Sequence, residues 1–369
     1  MKTKQLPKDW QEVELGEICE IKKGNSITKN TITNGDIPVI AGGQQPAYYH
    51  NNSNRIGETL TISGSGAYAG FVAYFNIPIF ASDCSTIQSK EKNVFMKYIY
   101  YFLKGNQNRI YKLQKGMAQP HVYPKDLMLL KIPLPALQTQ KAIVSILEKA
   151  EALKQKREDA DKLTKEYLQS VFYEMFGDPI LNEKKWVLLE SKKCFRQIYG
   201  MPLDSTLFGN SGKPLIRIRD LLESKISIYT TEDLTKCKEI PLAKKGDLLI
   251  GMDGDFNLVK WNNKEVIINQ RIVKIEPKKG VEKEYLRFAM PFFVKIIEEN
   301  KAFVTVKHLS DKDLKQMILP IPPLPLQQTF ASIVEHVEKL KEKQKTSKEE
   351  INLMFDSLMK QAFNGELVK

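Results

Sequence analysis

The chain states one pattern twice. Lys125-Asp126-Leu127 leads through apolar residues to Ile132-Pro133-Leu134-Pro135-Ala136-Leu137, then to Gln140 and a helical apolar pattern. The order returns as Lys312-Asp313-Leu314, Leu319-Pro320-Ile321-Pro322-Pro323-Leu324 and Gln327, at a constant offset of 187 residues. A repeat this long makes each copy a unit of its own, so the chain must build two similar halves. Its 369 residues suffice for two cores.

Upstream of each motif the framework recurs while the loops differ. Trp10 to Gly24 spans the same interval as Trp186 to Gly200, and Gly35–Ile40 matches Ser211–Ile216. Gly57-Glu58-Thr59-Leu60 resembles Gly246-Asp247-Leu248-Leu249, and Tyr98-Ile99 resembles Tyr285-Leu286. Strand-like runs at 38–40, 59–62 and 70–75 alternate with turn-rich stretches, and a short helix is expected near Phe95–Lys104. One scaffold with two loop sets suits two different reading surfaces.

After each motif the apolar residues step by three and four. The second copy gives Phe330, Ile333, Val337, Leu340, Gln344, Ser347, Ile351, Met354 and Leu358; the first gives Ile143, Ile146, Ala150, Leu153, Arg157, Ala160, Thr164, Tyr167 and Val171. These are heptad seams with polar middles, and polar seam positions fix register. Two core helices, each packed on its own half, would fit the same pattern. Matched seams favour an antiparallel pair, with a lobe at each end. A helix of roughly 37 residues is about 55 Å long, which suits DNA half-sites ~34–36 Å apart.

The charge is placed to match. The net +12 comes wholly from blocks 1–137 (16 basic, 10 acidic) and 177–326 (26 basic, 20 acidic), while 138–176 and 327–369 each hold seven of either sign. Two basic lobes favour a polyanionic partner. No apolar run is long enough to cross a bilayer, and the start Met1-Lys2-Thr3-Lys4-Gln5 lacks a signal peptide's apolar region. The scattered Cys19, Cys84, Cys194 and Cys237 read as reduced thiols, so a cytoplasmic location is expected.

With the repeat, the paired helices and the motif Pro135-Ala136-Leu137-Gln138-Thr139-Gln140 with its partner Pro322-Pro323-Leu324-Pro325-Leu326-Gln327 in view, the chain resembles the DNA-specificity subunit of a type I restriction–modification system. The resemblance spans essentially the whole length. It implies an α+β fold in which two α/β target-recognition domains are separated by two long antiparallel helices forming a coiled coil, with a pseudo-twofold internal repeat. The expected division is 1–134, 135–177, 178–321 and 322–369. The resemblance further implies double-stranded DNA as ligand and a bipartite, asymmetric target, one half per domain. It also implies two methyltransferase subunits docked on the helices, with restriction subunits joining for cleavage. S-adenosylmethionine would belong to the methyltransferases; this chain would bind no cofactor or metal, span no membrane and catalyse nothing. The interface residues so marked are Pro135, Leu137, Gln140, Ile143, Ile146 and Leu153, with Pro322, Leu324, Gln327, Phe330, Ile333, Val337 and Leu340.

Reading residues must be argued from chemistry, since amides and Arg meet base edges while Lys mainly meets phosphate. In the first lobe the loop with Gln44, Gln45, Tyr48, Tyr49 and Asn51 is rich in amides and aromatics, though an ordinary polar loop fits as well. Ser63, Ser65 and Tyr68 lie in a glycine-rich turn that lets backbone approach phosphate. Lys115, Gln119 and His121 parallel the segment Val304-Thr305-Val306-Lys307-His308, where packing or capping would equally explain a repeated histidine. In the second lobe Arg217 and Arg219 are expected on one strand face, and Asp253, Asn257, Lys260 and Trp261 in a loop pair. Lys23 and Tyr199, beside the glycines that end the matched interval, complete the set.

Signatures of catalysis are missing: neither a phosphate loop nor a nucleophile elbow occurs. Glu190-Ser191-Lys192 and Glu223-Ser224-Lys225 have the Glu-x-Lys form of many nucleases, which leaves a divergent nuclease as one alternative and a protein–protein connector as another.

Overall fold

The structure, a computed structural model, describes residues 6–116, 118–235, 237–301 and 307–368. It divides into two compact units, residues 1–159 with 345–369 and residues 160–344. The boundary falls inside two 40-residue helices, Leu137–Phe176 and Leu324–Phe363, so each unit owns part of both.

In unit 1, β1 (Gln11–Glu14), β2 (Cys19–Lys23), β3 (Ile37–Ile40), β4 (Tyr48–His50), β5 (Thr59–Ser63), β6 (Val72–Phe75), β7 (Phe80–Ala81), β8 (Cys84–Ser89) and β9 (Lys131–Leu134) form three sheets. Their orders are β1-β9, β2-β8-β5-β6 and β4-β3-β7. Thr59-Leu60-Thr61-Ile62-Ser63 is buried throughout. Because side chains alternate across a strand, Leu60 and Ile62 join the main core with helix Met96–Gly105, leaving the hydroxyls to the other face. The expected helix near Phe95–Lys104 is therefore present.

Unit 2 repeats the plan with β10 (Val187–Glu190), β11 (Phe195–Tyr199), β12 (Phe208–Gly209), β13 (Lys213–Ile216), β14 (Ile228–Thr230), β15 (Leu242–Ala243), β16 (Leu248–Gly251), β17 (Leu258–Lys260), β18 (Val266–Ile268), β19 (Ile272–Pro277) and β20 (Ile318–Ile321). Its sheets run β10-β20, β11-β19-β16-β17 and β12-β14-β13-β18-β15. In β16, Leu248 and Ile250 face one core while Leu249 faces a second one filled by Trp261. Gly24 and Gly200, which end the matched interval, do the same work: a Cβ would lie 2.1 Å from Ser82 O in one unit and 2.0 Å from Asn269 O in the other. No other residue allows that approach.

The repeated motif proves to be a clip. Gln140 Oε1 accepts the Phe95 N–H at 2.9 Å, while Nε2 donates to Asn93 O at 3.0 Å and Pro135 O at 2.9 Å. Gln327 takes the Glu282 N–H at 2.8 Å and donates to Gly280 O at 3.3 Å and Pro322 O at 2.7 Å. Tyr98 donates its hydroxyl to Pro133 O and Tyr285 to Pro320 O. All partners stand 187 residues apart. Phe95 and Glu282 are the N-cap residues of Met96–Gly105 and Lys283–Asn300, so each glutamine ties a long helix to a helix of its own unit.

Within unit 2 the long helices run antiparallel, since Thr164 meets Gln344 at 3.1 Å while Phe172 and Phe176 meet Phe330 at ring distances of 5.6 and 5.3 Å. In unit 1, Ile143, Val144, Leu147 and Ala150 share a core with Phe355, Met359 and Ala362. The inward positions correct half of the expected seam. Positions 143, 150, 157, 164 and 171 and their counterparts do face inward, but the intervening ones are Leu147, Lys154, Asp161 and Leu168, matched by Val334, Lys341, Lys348 and Phe355. Leu153 and Leu340, placed on the seam by their apolar character, are 45% and 47% exposed. Lysine at such a place can set its ammonium over an aromatic face: Lys154 Nζ sits 5.9 Å from the centroid of the Phe355 ring.

Candidate nucleic-acid interface

In unit 1 the fold gathers three of the expected loops. Ser63 Oγ donates to Gly43 O at 3.3 Å, the Gly66 N–H donates to Pro120 O at 3.1 Å, and His121 exchanges both backbone bonds with Lys115 at 2.9 Å. Loops 41–47, 63–68 and 115–121 therefore meet around Ser65, whose hydroxyl donates to Asp83. Gln44, Gln45 and Tyr68 point into solvent from these loops, as does Gln119. Met117 lies outside the described residues, as do residues 1–5 and the segment with Val304, Thr305 and Val306.

Tyr48 and Tyr49 occupy the edge strand β4, where Val39 pairs with Tyr48 and Pro38 with Tyr49. Tyr49 is 57% exposed, and the two rings line an open cleft with Ile32, Asn34, Gly35 and Asp36. His50, the next residue, turns inward: Nδ1 accepts the Thr33 N–H at 3.1 Å and its ring meets Phe80 edge-on. Asn51 follows in the open, and Lys23 ends β2 with its side chain exposed. Lys115 is bound to Asp126 at 2.7 Å, so its charge is already balanced.

Unit 2 calls for more correction. β13 stops at Ile216 and residues 218–220 form a 3-10 turn, so Arg217 and Arg219 do not share a strand face. Arg217 is closed in a ring with Asp220 (3.0 Å) and Ser227 (2.9 Å). Trp261 is fully buried, donating Nε1–H to Lys264 O at 2.8 Å, and is a core residue. Lys260 bridges Glu284 and Glu338, each at 2.7 Å, and Arg287 joins both carboxylates, which makes Lys260 a structural cation. Tyr199 donates its hydroxyl to Asp311 at 2.9 Å; burial and that carboxylate push its phenol up. Lys307 pairs with Glu298 at 2.8 Å, and Asn257 turns back onto Asp255 O at 3.2 Å. Arg219 is exposed, while Asp253 is half-buried and held by His308 Nδ1 at 2.7 Å and by Arg271 Nε at 3.4 Å.

The two gatherings are one site built twice. Ser65 bridges His121 as Asp253 bridges His308. The Val122 N–H donates to Gly64 O at 3.0 Å and the Leu309 N–H to Met252 O at 2.7 Å. Asp83 and Arg271 were not legible in sequence, because they stand 188 apart rather than 187: unit 1 has one more residue between β8 and helix Met96–Gly105 than unit 2 has between β19 and helix Lys283–Asn300.

Among the interface residues, Gln140, Gln327, Pro135, Pro322, Ile143, Phe330 and Val337 are buried within their own units and offer nothing to a partner. Leu137, Ile146 and Ile333 are half-buried; Leu324, Leu153 and Leu340 are exposed. Glu190 is exposed and pairs with Lys192 at 2.6 Å. Among the described residues no group of three or more His, Cys, Asp or Glu side chains could hold a metal ion, and no helix is long and apolar enough to cross a membrane.

Comparison with known proteins agrees with this duplicated frame. The family model described as "Type I restriction modification DNA specificity domain" matches twice, over residues 7–164 and 164–353. The specificity subunit of the type I restriction enzyme EcoBI from Escherichia coli is 30% identical over 191 residues, which is 50% of this chain and 40% of that subunit's own length. The putative MjaX specificity subunit of Methanocaldococcus jannaschii is 23% identical over 98% of this chain and 95% of its own. The crystal structure of a type I restriction-modification S subunit from M. genitalium shares the fold, with a TM-score of 0.64 at 18% identity and 98% coverage of both chains. Two domain matches that together cover most of the chain make this protein a member of the type I restriction–modification DNA-specificity family, as a specificity subunit and not a catalyst.

Proposed function

We propose that the chain reads a bipartite, asymmetric DNA target, one half per unit, and docks two adenine-methyltransferase subunits through its long helices. Nuclease–translocase subunits then join for restriction. The supporting observation is the site built twice: the same strand ends and histidines carry Ser65 and Asp83 in one unit, Asp253 and Arg271 in the other. One frame with two side-chain sets fits two unlike half-sites. S-adenosylmethionine would be held by the methyltransferases, in the cytoplasm.

The helices support two copies of one partner. The stripe Ile146, Leu153, Ala160 and Tyr167, next to the inward seam, recurs as Ile333, Leu340, Ser347 and Met354. Leu153, Tyr167, Leu340 and Met354 are all exposed. A doubled apolar stripe suits a doubled partner.

Mapping methylated adenines genome-wide, in cells with and without this chain, tests the reading. A split motif that vanishes with the chain is expected; an unchanged map refutes it. Exchanging residues 41–55 for another loop should alter one half of the motif. Leu153→Lys and Leu340→Lys should each remove one methyltransferase from the complex by mass.

A further inference from the structure

Asp83 and Arg271 occupy the same place in the two units. Ser63 pairs with Cys84 at the end of β5 and Gly251 with Ile272 at the end of β16, and the two residues immediately precede those partners. The Gly64 N–H donates to Asp83 O at 3.0 Å, and the Met252 N–H to Arg271 O at 2.9 Å. Each then engages the residue that bridges the repeated histidine: Asp83 takes the Ser65 hydroxyl, and Arg271 Nε lies 3.4 Å from Asp253 Oδ2. The frame is common and the charge is opposite.

Their surroundings hold both side chains at the loop cluster. Glycines flank the Asp83 carboxylate: a Cβ on Gly64 would lie 2.9 Å from Oδ1 and one on Gly42 3.2 Å from Oδ2, so larger residues there would displace it. Arg271 is anchored through Nε while its side chain is 52% exposed. Its two terminal nitrogens form the fork that meets guanine O6 and N7 bidentately. A carboxylate offers only acceptors, which match the exocyclic amino group of cytosine or adenine.

We propose that Asp83 and Arg271 are equivalent specificity-determining side chains, Arg271 selecting guanine in one half-site and Asp83 selecting a base with an exocyclic amino donor in the other. The proposal rests on the bipartite DNA reading above. Neither residue is part of a core or a clip; Asp83→Asn keeps the side chain's shape and Arg271→Gln removes the guanidinium fork, and both change hydrogen-bonding character.

The test is the methylation map of cells expressing the chain, its Arg271→Gln variant or its Asp83→Asn variant with the partner methyltransferase. Arg271→Gln should relax one G·C position of one half-motif, with discrimination there falling about 10- to 100-fold. Asp83→Asn should change one position of the other half. A split motif that both variants leave intact overturns this assignment while sparing the DNA reading; no split motif even with the unaltered chain means the reading itself has failed. Should a variant methylate nothing, binding of its methyltransferase complex to a half-site library decides. Loss confined to one base position supports the proposal. Uniform loss with a shallower salt dependence marks a phosphate contact and overturns it.

Discussion

Gln344 Nε2 donates to Thr164 Oγ1 at 3.1 Å, joining the two long helices inside unit 2 where both side chains are buried. The Thr164 hydroxyl in turn donates to Ala160 O at 2.6 Å. A hydrogen bond between two buried seam positions fixes which residues face each other, because a slipped register strands both groups. Thr164→Val should cost ~1–2 kcal/mol, measured as a fall in the urea midpoint. Thr164→Val with Gln344→Leu should recover most of that loss; a double variant as weak as the single would show that the bond is not what the seam depends on.

The glutamine clips predict equal effects in both units. Gln140→Leu leaves the Phe95 N–H and the Asn93 and Pro135 carbonyls without their side-chain partner, and Gln327→Leu does the same for Glu282, Gly280 and Pro322. Each substitution should destabilise its unit by ~2–3 kcal/mol. Thermal melts should show similar losses for the two; a large loss for one and none for the other would contradict a shared structural role.

The carboxylates at the same helical position, Glu151 and Glu338, should make stability pH-dependent. Burial opposes their ionisation, but Lys104 and Tyr101 outweigh it for Glu151, as Lys260 and Arg287 do for Glu338, so both titrate below the ordinary range. A depressed folded pKa means the unfolded chain binds the proton more readily. The contribution is therefore present above the ordinary glutamate value of ~4.3 and lost as pH falls below it. Glu338→Gln should flatten the acid limb of the urea midpoint against pH; an unaltered limb would exclude the network as its source.

Thiol chemistry gives a fourth check. Burial pushes the thiols of Cys19 and Cys84 up to about 12 and that of Cys194 to about 11, while Cys237 is only half-buried. The thiolate is the reactive form. Alkylation of the native protein near pH 8, mapped by mass spectrometry, should mark Cys237 first; rapid labelling of Cys84 would mean that its strand opens readily.

The sequence by itself determined the duplicated frame. Periodicity and spacing are local and additive, so the motif, the matched glycines and the alternate helix positions Ile143, Ala150 and Thr164 could be read directly. Tertiary packing decided which remaining residues face inward. Lys154 lies against Phe355 while Leu153 faces out, Trp261 fills a core beside Leu249, and Lys260 is held between two carboxylates. Residue type alone cannot report these outcomes, because long side chains bury a stem and expose a head according to neighbours that are remote in sequence. The pairing of Asp83 with Arg271 was hidden for a related reason. One inserted residue shifts the offset, and only the strand register shows that the two stand in the same place.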